Sequence, residues 1–123
     1  MLMTGRIMMY ENNHDSIVTH KKLAIIYITM FLNKYLVEFL GSIFFVYVIL
    51  ATGNPIAIGA ALALVILLTV NISGGFITPT VTIAMAAAGK ITNDEIVPYC
   101  IAQILGGLVA LELYKRVQLS SQN

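Results

Sequence analysis

The stretch Ile72-Ser73-Gly74-Gly75-Phe76-Ile77-Thr78-Pro79-Thr80-Val81-Thr82 decides how this chain folds. It lies between two apolar runs, each long enough to cross a bilayer. Adjacent glycines permit a tight, closely packed turn that a side chain would block. Thr78 reads as an N-cap, because its hydroxyl can accept a backbone N–H of the first helical turn. Pro79 follows at the first helical position, where its missing N–H costs nothing. The run from Pro79 then reaches Ala88 and stops at Gly89, a natural residue just past a helix end. Such a helix is about 15 Å long at about 1.5 Å per residue. That is roughly half of a hydrocarbon core about 30 Å thick. Residues 72–89 are therefore expected to form a re-entrant loop and half-helix, with the positive dipole end near the bilayer centre.

The composition around it agrees. Of 123 residues, 59% are hydrophobic and 11% charged. Soluble domains average nearer a quarter charged, so the chain reads as a membrane protein. A net charge of +1 gives no reason to expect nucleic-acid binding. The single cysteine, Cys100, excludes an intrachain disulfide or a thiolate cluster and reads as a small apolar helix residue.

Upstream, Ile56 to Val70 reads as a spanning helix, opened by the turn Thr52-Gly53-Asn54-Pro55. Before that turn, Tyr35 to Ala51 reads as another, with Tyr35 and Tyr47 suited to the interfacial belts. Glu38 is a carboxylate near the start of that apolar run. It either reaches water at the interface or faces the bundle interior with a partner. Leu23 to Leu32 is apolar but too short to span, and Asn33-Lys34 interrupt it. It is an interfacial helix or an inner extension of the next one. Residues 1–22 are polar and mixed, carry no signal-peptide pattern, and are expected to form a partly disordered cytoplasmic tail. His14 and His20 have no acidic or Cys partners at ligand spacing, so no metal site is expected.

Downstream, Thr92-Asn93-Asp94-Glu95 looks like a helix start, and Ile96 to Tyr114 like a further span. Ala102, Gly106 and Ala110 recur every four residues as a packing face, joined by Gly41 and Gly59 on the earlier helices. Copies of the chain are expected to associate through these five positions. Gln103 lies beside the face and should hydrogen-bond inside the bundle. Lys115-Arg116 close the span and argue against a random truncation; residues 116–123 are a polar tail. The expected architecture is all-α: spans at 34–52, 55–71 and 96–115 plus the half-helix. Arg6, Lys21, Lys22, Lys34 and Lys90 fall on one side of it, Lys115 and Arg116 on the other. That bias places the N-terminus in the cytoplasm.

Ser73-Gly74-Gly75 followed by Thr78-Pro79-Thr80-Val81-Thr82 resembles the S-G-G-x-x-N-P-A-V-T segment of the major intrinsic proteins, the aquaporins and aquaglyceroporins. Thr78 stands where the family has Asn, and Thr80 where it has Ala. Glu38-Phe39-Leu40-Gly41 resembles the family's first helix, and Tyr99 to Gly106 its third. The resemblance runs from about Lys34 to Tyr114 and covers one of the family's two inverted repeats. It implies that Glu38 accepts backbone N–H groups of the loop, and that Ile58 occupies the narrow outer filter, where water-selective members usually carry an aromatic ring. A lipid- or protein-facing role for Ile58 is the alternative. In the family, each Asn caps its half-helix and points an amide N–H at passing water. Thr78 can still cap, and its hydroxyl offers one proton rather than two.

The functional expectation is a passive pore for water or small neutral solutes such as glycerol, formed after oligomerisation or after pairing with another aquaporin-type half. One repeat cannot enclose a pore. The rival reading is a non-conducting structural or regulatory membrane component. No nucleophile with a base and no phosphate-binding loop suggests an enzyme, and no cofactor is expected.

Overall fold

The structure is a computed structural model that describes the backbone of residues 2–122 and the side chains of residues 13–122. Among the described residues four α-helices follow in order: α1 (Leu2–Thr52), α2 (Pro55–Ser73), α3 (Pro79–Ala87) and α4 (Ile96–Ser120). Asn93–Glu95 form a 3₁₀ turn before α4. Among the described residues, three helices are long and apolar enough to cross a membrane: 13–52, Pro55–Ser73 and Asn93–Ser120. With the short α3, this is an all-α membrane fold of three spans and one half-helix. Met1–Leu32 and Asn33–Asn123 are two separate compact units.

The punctuation of the second unit follows local chemistry. Asn54 caps α2, its Oδ1 accepting from Ile56 N at 2.9 Å and Ala57 N at 3.2 Å, with Pro55 in the first turn. Gly74 ends α2 in the left-handed region (φ 95°), its N–H bonding Val70 O at 3.1 Å. The helix thus runs to Ser73, two residues past the expected end at 71. Thr78 caps α3 through Val81 N at 3.4 Å, and Pro79 is its first residue. Thr92 and Glu95 form a reciprocal capping box ahead of α4.

Three expectations are corrected. Residues 1–22 are not a partly disordered tail, because α1 begins at Leu2 and continues through Leu23–Leu32 without a break. Proline is absent before Pro55, and the polar residues are compatible with a helix. Ser16 and Thr19 turn their hydroxyls onto the carbonyls of Asn13 and Asp15, at 2.9 and 2.8 Å. Residues 13–22 of this helix are exposed on every side. The side chain of Arg6, one of the charges behind the orientation, lies outside the described residues.

The second correction concerns residues 116–123. Lys115-Arg116 do not end α4, which reaches Ser120; Arg116 pairs with Glu112 one turn back at 3.2 Å. The third concerns the small residues. Gly41, Gly106 and Ala110 are buried within the chain, so they pack its own helices and not a second copy. A Cβ on Gly106 would come within 2.5 Å of Phe39 O and 2.9 Å of Ser42 Cβ. Hydrogen at that position is what lets α4 lie against α1. A Cβ on Gly41 would meet Val65 and Ile77 side chains at 2.8 and 2.9 Å. Ala102 is half-buried, and Gly59 is exposed with open space beside it.

Candidate functional site: the re-entrant loop and its carboxylate

Glu38 is fully buried at 0% exposure and receives four hydrogen bonds from the loop and α4. Its Oε1 accepts from Ser73 Oγ at 2.5 Å and Phe76 N at 3.0 Å. Its Oε2 accepts from Ile77 N at 2.6 Å and Gln103 Nε2 at 2.9 Å. All four partners donate, which suits a carboxylate that only accepts. Charge-assisted bonds of this kind are roughly twice as strong as neutral ones. A single side chain on α1 thus fixes the loop from beneath.

The second layer surrounds it. Gln103 gives its other amide proton to Thr82 Oγ1 at 2.8 Å, and Thr82 Oγ1 lies 3.2 Å from the Thr78 carbonyl, to which it donates. This ties α4 to the first turn of α3. Ser42, one turn after Glu38, donates to Ile77 O at 2.7 Å. Tyr99, one turn before Gln103, donates from its hydroxyl to Ser73 O at 2.6 Å. Every N–H from Gly74 to Thr78 has a partner: Val70 O, Ser73 Oγ, the two Glu38 oxygens and Phe76 O. Among the described residues, no group donates to the carbonyls of Gly74 and Gly75.

Ile77 is the strained point, at φ 63° and 2% exposed. A β-branched residue in that region is a true outlier. It persists because its N–H and carbonyl are each bonded, to Glu38 and Ser42.

Below the loop, Tyr99 packs between Tyr35 and Phe76, with ring centroids 5.0 and 5.2 Å away. Lys34 pairs with Glu95, and its Nζ lies 5.2 and 5.7 Å from the Tyr35 and Tyr99 ring centroids. These contacts join the middle of α1 to the start of α4.

The structure brings Glu38, Ser73, Gly74, Gly75, Thr78, Thr82 and Gln103 into one cluster. Thr80 is exposed on α3. Ile58 is half-buried near the opposite end of α2, about 22 Å of helix from Ser73, and takes no part. Ser42, Tyr99 and Ile77 complete the cluster without having stood out in the sequence. Ser42 and Tyr99 did carry a signal, each lying one helical turn from a residue that had.

The family model described as Major intrinsic protein matches residues 24–123. Glycerol uptake facilitator protein-like 6 of Lactiplantibacillus plantarum is 40% identical over 88 residues, covering 64% of this chain and 41% of that protein. Aquaporin-8 of Notomys alexis is 34% identical over 98 residues, 71% of this chain and 38% of that protein. Aquaporin Z of Rhodopseudomonas palustris is 31% identical over 96 residues, 66% of this chain and 40% of that protein. The chain spans about two fifths of the length of these relatives. No solved structure matches it. With a re-entrant half-helix held by a buried carboxylate, and with these matches along most of its length, the chain belongs to the major intrinsic protein family.

Proposed function

We propose that the chain contributes one wall of a passive channel for water or small neutral solutes such as glycerol. The observation that carries this reading is the asymmetry of the loop. Its N–H groups are all held within the protein, while the Gly74 and Gly75 carbonyls receive no bond among the described residues. Non-helical backbone at membrane depth is tolerated where it is buried in protein or lines a water-filled cavity. Two such oxygens beside the positive end of a half-helix suit a path for neutral hydrogen-bond donors, and that dipole disfavours cations. In this reading Ser73, Gly74, Gly75, Thr78, Pro79, Thr80 and Thr82 form the pore motif. Glu38 and Gln103 support the loop, and Ile58 stands at the outer filter. The names of the relatives, a glycerol uptake facilitator and aquaporins, support the same solutes. No catalytic role is proposed.

One half-helix does not close a pore, so a second comes from outside these residues. Two parallel copies insert theirs from the same face and their ends cannot meet. The complement is an antiparallel copy or another aquaporin-type half of opposite orientation. Lys21, Lys22 and Lys34 favour a cytoplasmic N-terminus, which weighs against dual topology. Purified protein in liposomes tests the reading: a glycerol gradient should drive swelling, and a sucrose gradient shrinkage, faster than in protein-free liposomes. Native mass measurement on the same sample gives the assembly. Rates equal to those of empty liposomes would overturn the channel in favour of a non-conducting membrane component.

A further inference from the structure

A helix in water hides its apolar residues along one stripe. The segment Leu23–Leu32 has no such stripe. Four consecutive residues, Ile25, Ile26, Tyr27 and Ile28, are 64%, 53%, 72% and 59% exposed. At about 3.6 residues per turn, four successive positions point in four directions around the axis. The segment is therefore apolar on every side. Thr29 uses its hydroxyl internally, donating to Ile25 O at 2.8 Å. At its N-terminal edge Lys21 and Lys22 are exposed and enter no ion pair among the described residues.

A helix that is apolar all round belongs to the core of a large protein or to a membrane; this segment is exposed on all sides within its own chain and lies in a helix apolar enough to cross a membrane. The solvent that favours apolar side chains is lipid. We propose that Leu23–Leu32 is immersed in lipid, and that the first helix leaves the membrane at Lys21–Lys22 rather than at Lys34. The boundary moves by about 18 Å of helix. Residues 23–32 make about 15 Å of helix, against about 30 Å for a hydrocarbon core. Tyr27 then falls where aromatic side chains anchor at the interface, and Lys21 and Lys22 reach the phosphates. Lys34 comes to lie beneath the headgroups, where a lone ammonium is costly. Its pairing with Glu95 and its place over the Tyr35 and Tyr99 rings fit that depth.

The test uses the full chain with Cys100→Ala, reconstituted in phosphatidylcholine–phosphatidylserine vesicles. Single cysteines replace Ile25, Ile26, Tyr27 and Ile28 in turn, and each carries an environment-sensitive fluorophore. Ser16→Cys and Thr19→Cys serve as aqueous controls. Nitroxide-bearing lipids should quench all four segment labels, and aqueous iodide should quench only the two controls. Iodide quenching at all four positions overturns the proposal. So does protection of one or two positions from both quenchers, which would mark a protein partner. Circular dichroism of each variant confirms that its helix content is retained, and the readout is independent of whether the protein conducts.

Discussion

The loop Ser73–Thr78 and the segment Leu23–Leu32 are built on opposite rules. Around the loop polar side chains are buried: Glu38, Ser42, Ser73, Thr82 and Gln103 are all at most 5% exposed. In the segment the exposed side chains are apolar, with Ile25 at 64% and Leu32 at 61%. In water this is an inside-out protein. In lipid it is a consistent one, because apolar surface gains nothing from burial there, and each polar group must find its partner inside. Stability should therefore reside in the hydrogen bonds and close contacts of the loop, with little in the apolar surface.

Three substitutions break or sharpen that contrast. The largest effect is expected for Glu38→Ala, which leaves the Phe76 and Ile77 amides without their acceptor. With about 1–3 kcal/mol for each buried unsatisfied group, the loss should be about 4 kcal/mol. Thermal unfolding in detergent measures it, and an unchanged midpoint would end the idea that one carboxylate holds the loop. Tyr99→Phe removes one hydrogen bond to Ser73 O and keeps the ring stacked against Tyr35 and Phe76. It should cost about 1 kcal/mol by the same measurement. A loss as large as that of Glu38→Ala would mean that the second layer matters as much as the first. The smallest effect is expected for Ile28→Leu, at 59% exposure. Its change should stay within about 0.5 kcal/mol, and a larger one would reveal a specific contact on the apolar segment.

The half-helix was legible because backbone chemistry leaves marks in sequence: paired glycines, then Thr78-Pro79, then Gly89. The spans were legible from run length. The extent of α1 was not, because Asn12-Asn13-His14-Asp15-Ser16 has the composition of a solvated tail, yet no proline interrupts it and α1 runs through it. The Lys34–Glu95 pair joins residues 61 apart in sequence and requires knowing which helix ends meet. Ile77 was the least readable, since its left-handed backbone runs against its β-branched side chain and is imposed by Glu38 and Ser42. The small residues show a further limit. Their spacing marks close helix contact but does not say whether the neighbour belongs to the same chain.

The four bonds to Glu38 also set an order on the ribosome. Glu38 is made first; Ser73 follows 35 residues later and Gln103 65 residues later. At about 5–20 residues per second, the carboxyl waits about 2–7 s for the loop and about 3–13 s for α4. During that interval its helix meets the insertion machinery with an acidic group and none of the four donors. An acidic residue at a helix centre opposes insertion by about 2.5–3.5 kcal/mol, and the leucines, phenylalanines and valines between Leu36 and Leu50 offset it. The first helix is thus hydrophobic enough to be committed to the membrane alone, carrying an acceptor that later parts of the nascent chain satisfy.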